Sequence, residues 1–427
     1  MMSGKMKNSG IEWIGEIPED WEVIRLKYSI KNIADKISLK TYNNQELLMY
    51  IGLEHVEQQT GRLIENYQPI YDFNGDTISF QKGDVLFGKL RPYLVKCLLA
   101  DCNGKCSSEF FVLRSEHNIL PTYLRLIMLS KGFIEYVDSS TFGVKMPRAE
   151  WGFVKNVFIP LPSLPTQQCI ADYLDQKCAE INRIIAAKQK QNELLREYKQ
   201  SIIYEAVTKG LDKNVKYKDS GIEWIGDIPE DWEVIRLKYL CKIIKTGTTP
   251  STQATQYFDG SLNWFTPADF SEGFELSDAS RKLDYIAVED SEVPLFSAGA
   301  IMIVGIGATM GKIGYLIDEG SCNQQITGMV IKNKYDSKGI MYYLYATSDC
   351  IRNMANYTTL PILNNQILSN VMCVTPSKKE HSQIVCYLDQ KCGEIDRIIK
   401  SNDDMITKLK EYRQSVIYEA VTGKIEV

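Results

Sequence analysis

Three histidines in 427 residues are too few for a histidine-rich metal site. His55, His117 and His381 have no nucleophile motif beside them, which leaves no Ser-His-Asp or Cys-His arrangement. No run approaches the roughly 18 continuous apolar residues of a membrane helix; the best stretch, Ala298–Met310, is short and broken by glycines. The opening residues are polar and lysine-bearing with no apolar core behind them, so no secretory signal is expected. The net charge of -5, from 49 Lys+Arg against 54 Asp+Glu, excludes a histone-like basic protein but leaves room for local basic patches. Eleven cysteines, an odd count at scattered spacings, fit reduced thiols in a cytoplasmic protein better than a disulfide framework. What remains is the composition of a soluble globular protein, 44% hydrophobic and 24% charged. The length predicts two or three domains of roughly 150 residues each.

An internal repeat settles how they are arranged. Lys7–Tyr28 (KNSGIEWIGEIPEDWEVIRLKY) returns as Lys218–Tyr239, differing only at Asn8/Asp219 and Glu16/Asp227. Tyr173–Ile185 (YLDQKCAEINRII) returns as Tyr387–Ile399, and Glu197–Thr208 as Glu411–Thr422. The chain is a tandem duplication. Between the repeated parts, residues 29–161 and 240–375 share little identity but keep one order of patterns. The first reads as strands at Asp84–Phe87, Tyr93–Leu99 and Ser107–Leu113, with Asn103-Gly104 as a hairpin turn. In the second, Gly320-Ser321-Cys322 lines up with Gly104-Lys105-Cys106. A helical pattern follows in both, Pro121–Val137 and Ser337–Met354, then a last strand near Phe153–Ile159 and Val371–Val374.

Each half ends in a long helix with a heptad seam. Leu174, Ile181, Leu195 and Ile202 recur at sevens, with Ile184 and Tyr198 as companions three residues on. Leu388, Ile395, Leu409 and Val416 repeat this with Ile398, Met405 and Tyr412, and the seam is interrupted at Lys188, Gln191 and Asn402. Roughly 35 residues give a rod of about 50 Å. Matching seams in two copies favour mutual antiparallel pairing about a pseudo-two-fold axis, with one variable domain at each end. The expected fold is α/β (α+β), two globular domains and a pair of long antiparallel coiled-coil helices. The boundaries read as 1–161 for the first domain, 162–208 for its helix, 209–217 for a linker, 218–375 for the second domain and 376–427 for the last helix. The Trp13–Trp21 turn and its copy Trp224–Trp232 read as packing clamps.

No catalytic constellation emerges. In Gly305–Gly314 (GIGATMGKIG) the spacing misses the phosphate-binding loop and Ile313 stands where Ser or Thr is needed, so the run reads as a turn between strands. Cys97, Cys102 and Cys106 lack a second pair or histidine at zinc spacing and read as structural thiols. There is no methyltransferase loop, helicase motif or nuclease cluster, and Glu19-Asp20 reads as solvated turn charge.

The diverged domains do carry side chains suited to nucleic acid. In the first these are Lys89, Arg91, Tyr93, Lys105, Ser107, Ser108, Lys145 and Arg148. In the second they are Thr248, Thr249, Ser251, Lys312, Asn323, Gln324, Gln325, Asn364 and Asn365, hydroxyls, amides and one lysine able to meet phosphates and base edges. A surface Lys or Asn taken singly is usually just solvated. A fixed frame around two diverged inserts is what a duplicated reader with two specificities looks like.

At these residues the sequence resembles the specificity (S) subunits of type I restriction-modification systems. The carriers are DSGIEWIGDIPEDWEVIRLK, RPYL and CSSEF in the first half, GTTPST, NWFTPADF and NQQITG in the second, and the YLDQK helix starts. The resemblance implies two target-recognition domains, each reading half of a bipartite double-stranded DNA site. It also implies helices that space the domains and dock two methyltransferase (M) subunits, with restriction (R) subunits joining that core. The chain itself would hold no cofactor, S-adenosylmethionine and ATP/Mg belonging to the partners. One departure is the second helix start, PSKKEHSQIVCYLD, which lacks the family's usual lead-in. The competing reading is a stand-alone coiled-coil scaffold presenting two ligand-binding modules; an unrecognised nuclease lacks an acidic cluster.

Overall fold

The computed structural model describes residues 5–34, 36–37, 49–64, 66–68, 76–141, 145–251, 253–270, 273–357 and 361–427. The chain forms two compact units, one of Met1–Gln189 with Asp403–Val427, the other of Lys190–Asn402. The C-terminal residues complete the first unit because Val416, Ile417, Ala420 and Val421 are buried in its core with Ile14, Ile17 and Trp21.

Each unit carries two larger sheets of similar plan, with two-stranded pairs beside them. In the first, Ile30–Ile33, Phe110–Ser115, Val85–Gly88 and Cys97–Leu99 lie side by side, all antiparallel. In the second, Cys241–Thr246, Ile326–Ile331, Ile301–Val304 and Ile313–Leu316 take those places, with Glu275–Leu276 added at the edge. The other sheet contains a parallel pair, Gly104–Ser107 against Met49–Ile51 in one unit and Gly320–Cys322 against Phe258–Phe265 in the other. Strands that run Val-Leu-Phe-Gly or Ile-Met-Ile-Val without alternation are fully buried, as a strand covered on both faces must be.

Several elements differ from the sequence expectation. Residues Cys97–Leu99 and Gly104–Ser107 belong to different sheets, so Asn103-Gly104 is not a hairpin turn. Gly104 is instead a point of close approach, since a Cβ there would stand 2.5 Å from the Met49 carbonyl and from Phe80. Pro92–Leu94 is a tight helical turn rather than the start of a strand. Each expected helix is two: Pro121–Leu129 and Lys131–Asp138, and Ser337–Ala346 and Ser348–Asn353. The breaks fall at Ser130 and Thr347, whose hydroxyls bond the carbonyls of Ile127 and Tyr343 and compete with the helix ladder. Trp151–Val154 is a helical turn, and the last strand is Phe158–Leu161, paired with Glu22–Arg25. Its counterpart Met372–Thr375 pairs with Glu233–Arg236.

The long helices are Leu164–Lys209 and Lys378–Val421. Within each unit a stretch of one runs antiparallel to a stretch of the other. In the first unit Ile181 and Ile185 cluster with Ile406 and Leu409, and Arg413 bonds Asn182. In the second, Leu195 and Ile202 cluster with Ile395 and Ile399, and Lys199 bonds both oxygens of Asp396 at 2.7 and 2.8 Å. Ile181, Ile202 and Ile395 are buried in the seam, Leu195 and Leu409 are half-buried there, and Leu174, Leu388 and Val416 are buried in the domain cores instead. The companion positions are corrected: Ile184, Tyr198, Ile398, Met405 and Tyr412 are exposed. The seam uses the residue four on, not three, namely Ile185, Lys199, Ile399, Ile406 and Arg413. Alternating steps of three and four keep a stripe on one helix face, and two successive apolar residues hid which step was taken.

The repeated segments fasten helix ends to domains. Trp13, Trp21 and Trp232 are buried, and Trp232 Nε1 donates to Glu380 at 3.1 Å. Tyr204 donates to the Trp224 carbonyl at 2.6 Å, and Tyr418 to the Ile14 carbonyl at 3.3 Å. The aspartate of YLDQK does the same at the helix start: Asp175 pairs with Arg125, and Asp389 with Lys338 and Tyr342.

Candidate nucleic-acid interface

The loop after the Val85–Gly88 strand is held by backbone bonds on both sides. Lys89 N donates to Glu109 O at 2.9 Å, Ala149 N to Lys89 O at 2.8 Å, and Arg91 N to Pro147 O at 2.7 Å. These bonds gather Lys89, Arg91, Lys145 and Arg148 with Glu109, residues up to 59 positions apart in sequence (148 − 89). Arg148 pairs with Glu109 at 3.0 Å, and Arg91 Nη2 donates to the Lys145 carbonyl at 3.3 Å. Lys89 Nζ lies 5.8 Å from the Phe111 ring centre. Ser107 accepts from Glu109 N at 3.2 Å, so Ser107 and Ser108 flank the same place. Tyr93 is 47% exposed at the tip of the loop. Lys105 lies in the other sheet, opposite Tyr50 and Ser79.

The second unit builds the same ladder from other side chains. Gly305 N donates to Gln325 O at 2.7 Å and Leu363 N to Gly305 O at 2.9 Å, matching the Lys89 bonds one for one. Asn323 and Gln325 bond each other, side chain to side chain at 3.0 Å and Gln325 N to Asn323 Oδ1 at 3.0 Å. Thr249 donates to Gln324 Oε1, and Thr248 to the Glu292 carbonyl. Asn365 Oδ1 accepts from Thr246 at 3.0 Å and Thr327 at 3.1 Å, while Asn364 caps the short helix Asn365–Asn370 through Ile367 N. Ser251 is exposed. The amide and hydroxyl groups of this loop cluster therefore converge as the basic groups of the first do. The segment 141–151 that carries Lys145 and Arg148 is described at Thr141 and from Lys145 onward, residues 142–144 lying outside the described residues.

Lys312 stands apart. Its Nζ donates to the Phe270 carbonyl at 3.0 Å. The bonds Val304 N to Lys312 O and Gly88 N to Lys96 O make Lys96 its counterpart, and Lys96 Nζ donates to Leu53 O at 2.8 Å and Val56 O at 2.9 Å. Burial lowers the Lys96 pKa against the opposing pull of Glu54. Both lysines tie a strand to the turn after the neighbouring sheet's parallel strand. Glu109, which the sequence pattern did not single out, is a carboxylate built into the basic cluster; alignment of CSSEF with CNQQI would have found it opposite Gln325.

Burial pushes Cys97, Cys106, Cys241 and Cys322 up to about 12, and Cys373 further, in keeping with structural thiols. All eleven cysteines are free. Among the described residues no group of His, Cys, Asp and Glu could hold a metal ion, and no helix is long and apolar enough to cross a membrane.

The model of the type I restriction modification DNA specificity domain family matches residues 18–196 and again 229–407. The chain is 24% identical over 445 residues to the type I restriction enzyme MjaVIII specificity subunit of Methanocaldococcus jannaschii, covering 96% of this chain and 94% of the relative. It is 28% identical over 183 residues to the EcoDI specificity subunit of Escherichia coli, covering 42% and 39%. Among solved structures, a chain from work on complex assembly of the type I R-M system superposes with TM-score 0.75 at 19% identity, covering 96% of this chain and 99% of that one. The HsdS subunit from Thermoanaerobacter tengcongensis gives TM-score 0.51 at 19% identity, covering 96% and 98%.

Proposed function

The chain belongs to the type I restriction modification DNA specificity domain family, and we propose that each variable domain reads one half of a bipartite, asymmetric DNA site. It is a sequence-specific DNA-recognition subunit and not itself an enzyme. Two methyltransferase subunits dock on the long helices and their repeated ends, and restriction subunits join that core. S-adenosylmethionine and ATP/Mg chemistry belongs to those partners. The unbridged thiols support a cytoplasmic location.

The observation that carries the two-reader reading is the pair of equivalent loop ladders with different chemistry. One presents lysine and arginine, the other amides and hydroxyls, on the same backbone bonds. Arginine and lysine suit phosphates and guanine edges, and amides suit adenine. A chain of net charge -5 binds DNA weakly alone, so partner subunits contribute the remaining phosphate contacts.

The test is co-expression with the methyltransferase and restriction partners, followed by mapping of methylated bases. The expected result is methylation of one split motif, and a change in only one half of it when residues 29–161 are exchanged for those of a relative. A change in both halves would refute two independent readers. Failure to assemble with a methyltransferase would favour a scaffold.

A further inference from the structure

The loop that follows the Val85–Gly88 strand turns left-handed twice, at Arg91 with φ 51° and at Val95 with φ 52°. A Cβ in that conformation crowds the next carbonyl, so side chains other than glycine are strained there. The equivalent loop of the second unit makes the same two turns at Gly307, φ 101°, and Gly311, φ 88°. The conformation is thus a property of the fold, and glycine meets it at no steric cost.

The first domain departs from glycine twice, and the two departures are not alike. Val95 is 5% exposed and packs in the core, so its burial offsets the strain. Arg91 is held through its backbone, to Pro147 O at 2.7 Å and from Leu94 N at 2.9 Å, but its side chain has no apolar burial to offset the strain. Among the described residues its side chain makes one hydrogen bond, the 3.3 Å bond to the Lys145 carbonyl, and its Nε has no partner. A strained residue whose side chain adds nothing to the packing points to a functional position.

Its surroundings say what it binds. The ladder joins Arg91 to Lys89, Lys145 and Arg148, and Glu109 pairs through Oε1 with Arg148 at 3.0 Å. A base reader must be fixed in orientation by its neighbours, as Arg148 is. The Arg91 side chain is held by one long bond beside Lys89, Lys145 and Arg148, which suits a phosphate. We propose that Arg91 contacts a DNA backbone phosphate at the first half-site, a contact the second domain cannot make from Gly307. This rests on the DNA-reading role proposed above.

The test uses the full chain assembled with its methyltransferase subunits, as wild type, Arg91→Gly and Arg91→Lys. Binding to a duplex bearing the mapped motif and to a scrambled duplex is measured from about 50 to 200 mM salt. Arg91→Gly should weaken both complexes by about tenfold, and flatten the log–log salt dependence by about 0.9. It should melt no lower than wild type and leave the methylated motif unchanged. Arg91→Lys should recover most of the affinity, because a point charge serves a phosphate. A relaxed base in the first half-site, an unchanged salt slope, or a lower melting temperature with unchanged DNA binding would each overturn the proposal. If the wild-type complex methylates no split motif, the DNA-reading role fails instead.

Discussion

Replacing Asn402 with leucine tests whether polar groups in the helix seam set its register. Asn402 is 4% exposed, and its Nδ2 donates to Asn192 Oδ1 at 2.7 Å and to Gln191 Oε1 at 3.2 Å. Asn192 is 2% exposed, whereas Gln191 is open to water that can replace its bond. The cost of Asn402→Leu is therefore that of a buried amide losing its donor, about 1–3 kcal/mol. Added apolar burial returns part of it, leaving about 1–2 kcal/mol, or a fall of about 2–8 °C in melting temperature for a unit of this size. Asn192→Leu should cost a similar amount. The double variant should cost less than the two single costs together, since neither amide is left facing an apolar partner. Register is the second readout. By the 214-residue repeat, pairing two copies of the first helix in this register would set Asn192 against Lys188, and two copies of the second would set Asn402 against Ile406. Only unlike helices match amide with amide, so the double variant should self-associate more in light scattering. The single and double costs adding without coupling, or the double variant staying as monodisperse as wild type, would refute the reasoning.

The duplication was legible because Lys7–Tyr28 and Lys218–Tyr239 differ at two positions, and near identity needs no structural inference. The seam was legible at its heptad positions and misread at their companions. Ile184-Ile185, Ile398-Ile399 and Met405-Ile406 offer apolar side chains at both the third and fourth step. What breaks the tie is the buried polar set Asn192, Lys199, Asn402 and Arg413, which a hydropathy pattern discards. Sheet membership was illegible for a different reason. Nothing local in Cys97–Ser107 says that its two strands leave for separate sheets; the non-local partners Val85–Phe87 and Met49–Ile51 decide it. The left-handed positions could have been found, because aligning GKLRPYLVK with VGIGATMGK sets Arg91 and Val95 opposite Gly307 and Gly311. The gathering of Arg91 with Arg148 could not, since it depends on a ladder between segments far apart in the chain.

Two further predictions concern ionisable groups. With a thiol reagent under native conditions, Cys169 and Cys386, the exposed cysteines, should be modified first, while Cys97, Cys106, Cys241 and Cys322 react only on denaturation. Peptide mass spectrometry reads this directly; early labelling of Cys322 would contradict its burial and its thiol pKa of about 12. The other prediction is a pH dependence localised to one residue. His381 is 3% exposed, and burial lowers its pKa against the opposing pull of Asp336 and the Gly339 backbone bond. The unfolded chain therefore binds the proton more readily than the folded one. Its contribution is full above the unfolded value of about 6.5 and is lost as pH falls from there toward the lower folded value. The repeat sets His381 opposite Gln167 (381 − 214), whose amide bonds Asn118 O, Pro162 O and Leu120 N without a titrating group. His381→Gln should therefore flatten the loss of stability below about pH 6.5, read by urea unfolding at stepped pH, while changing stability little at pH 8. An equally steep acid loss in His381→Gln would assign the dependence to other groups.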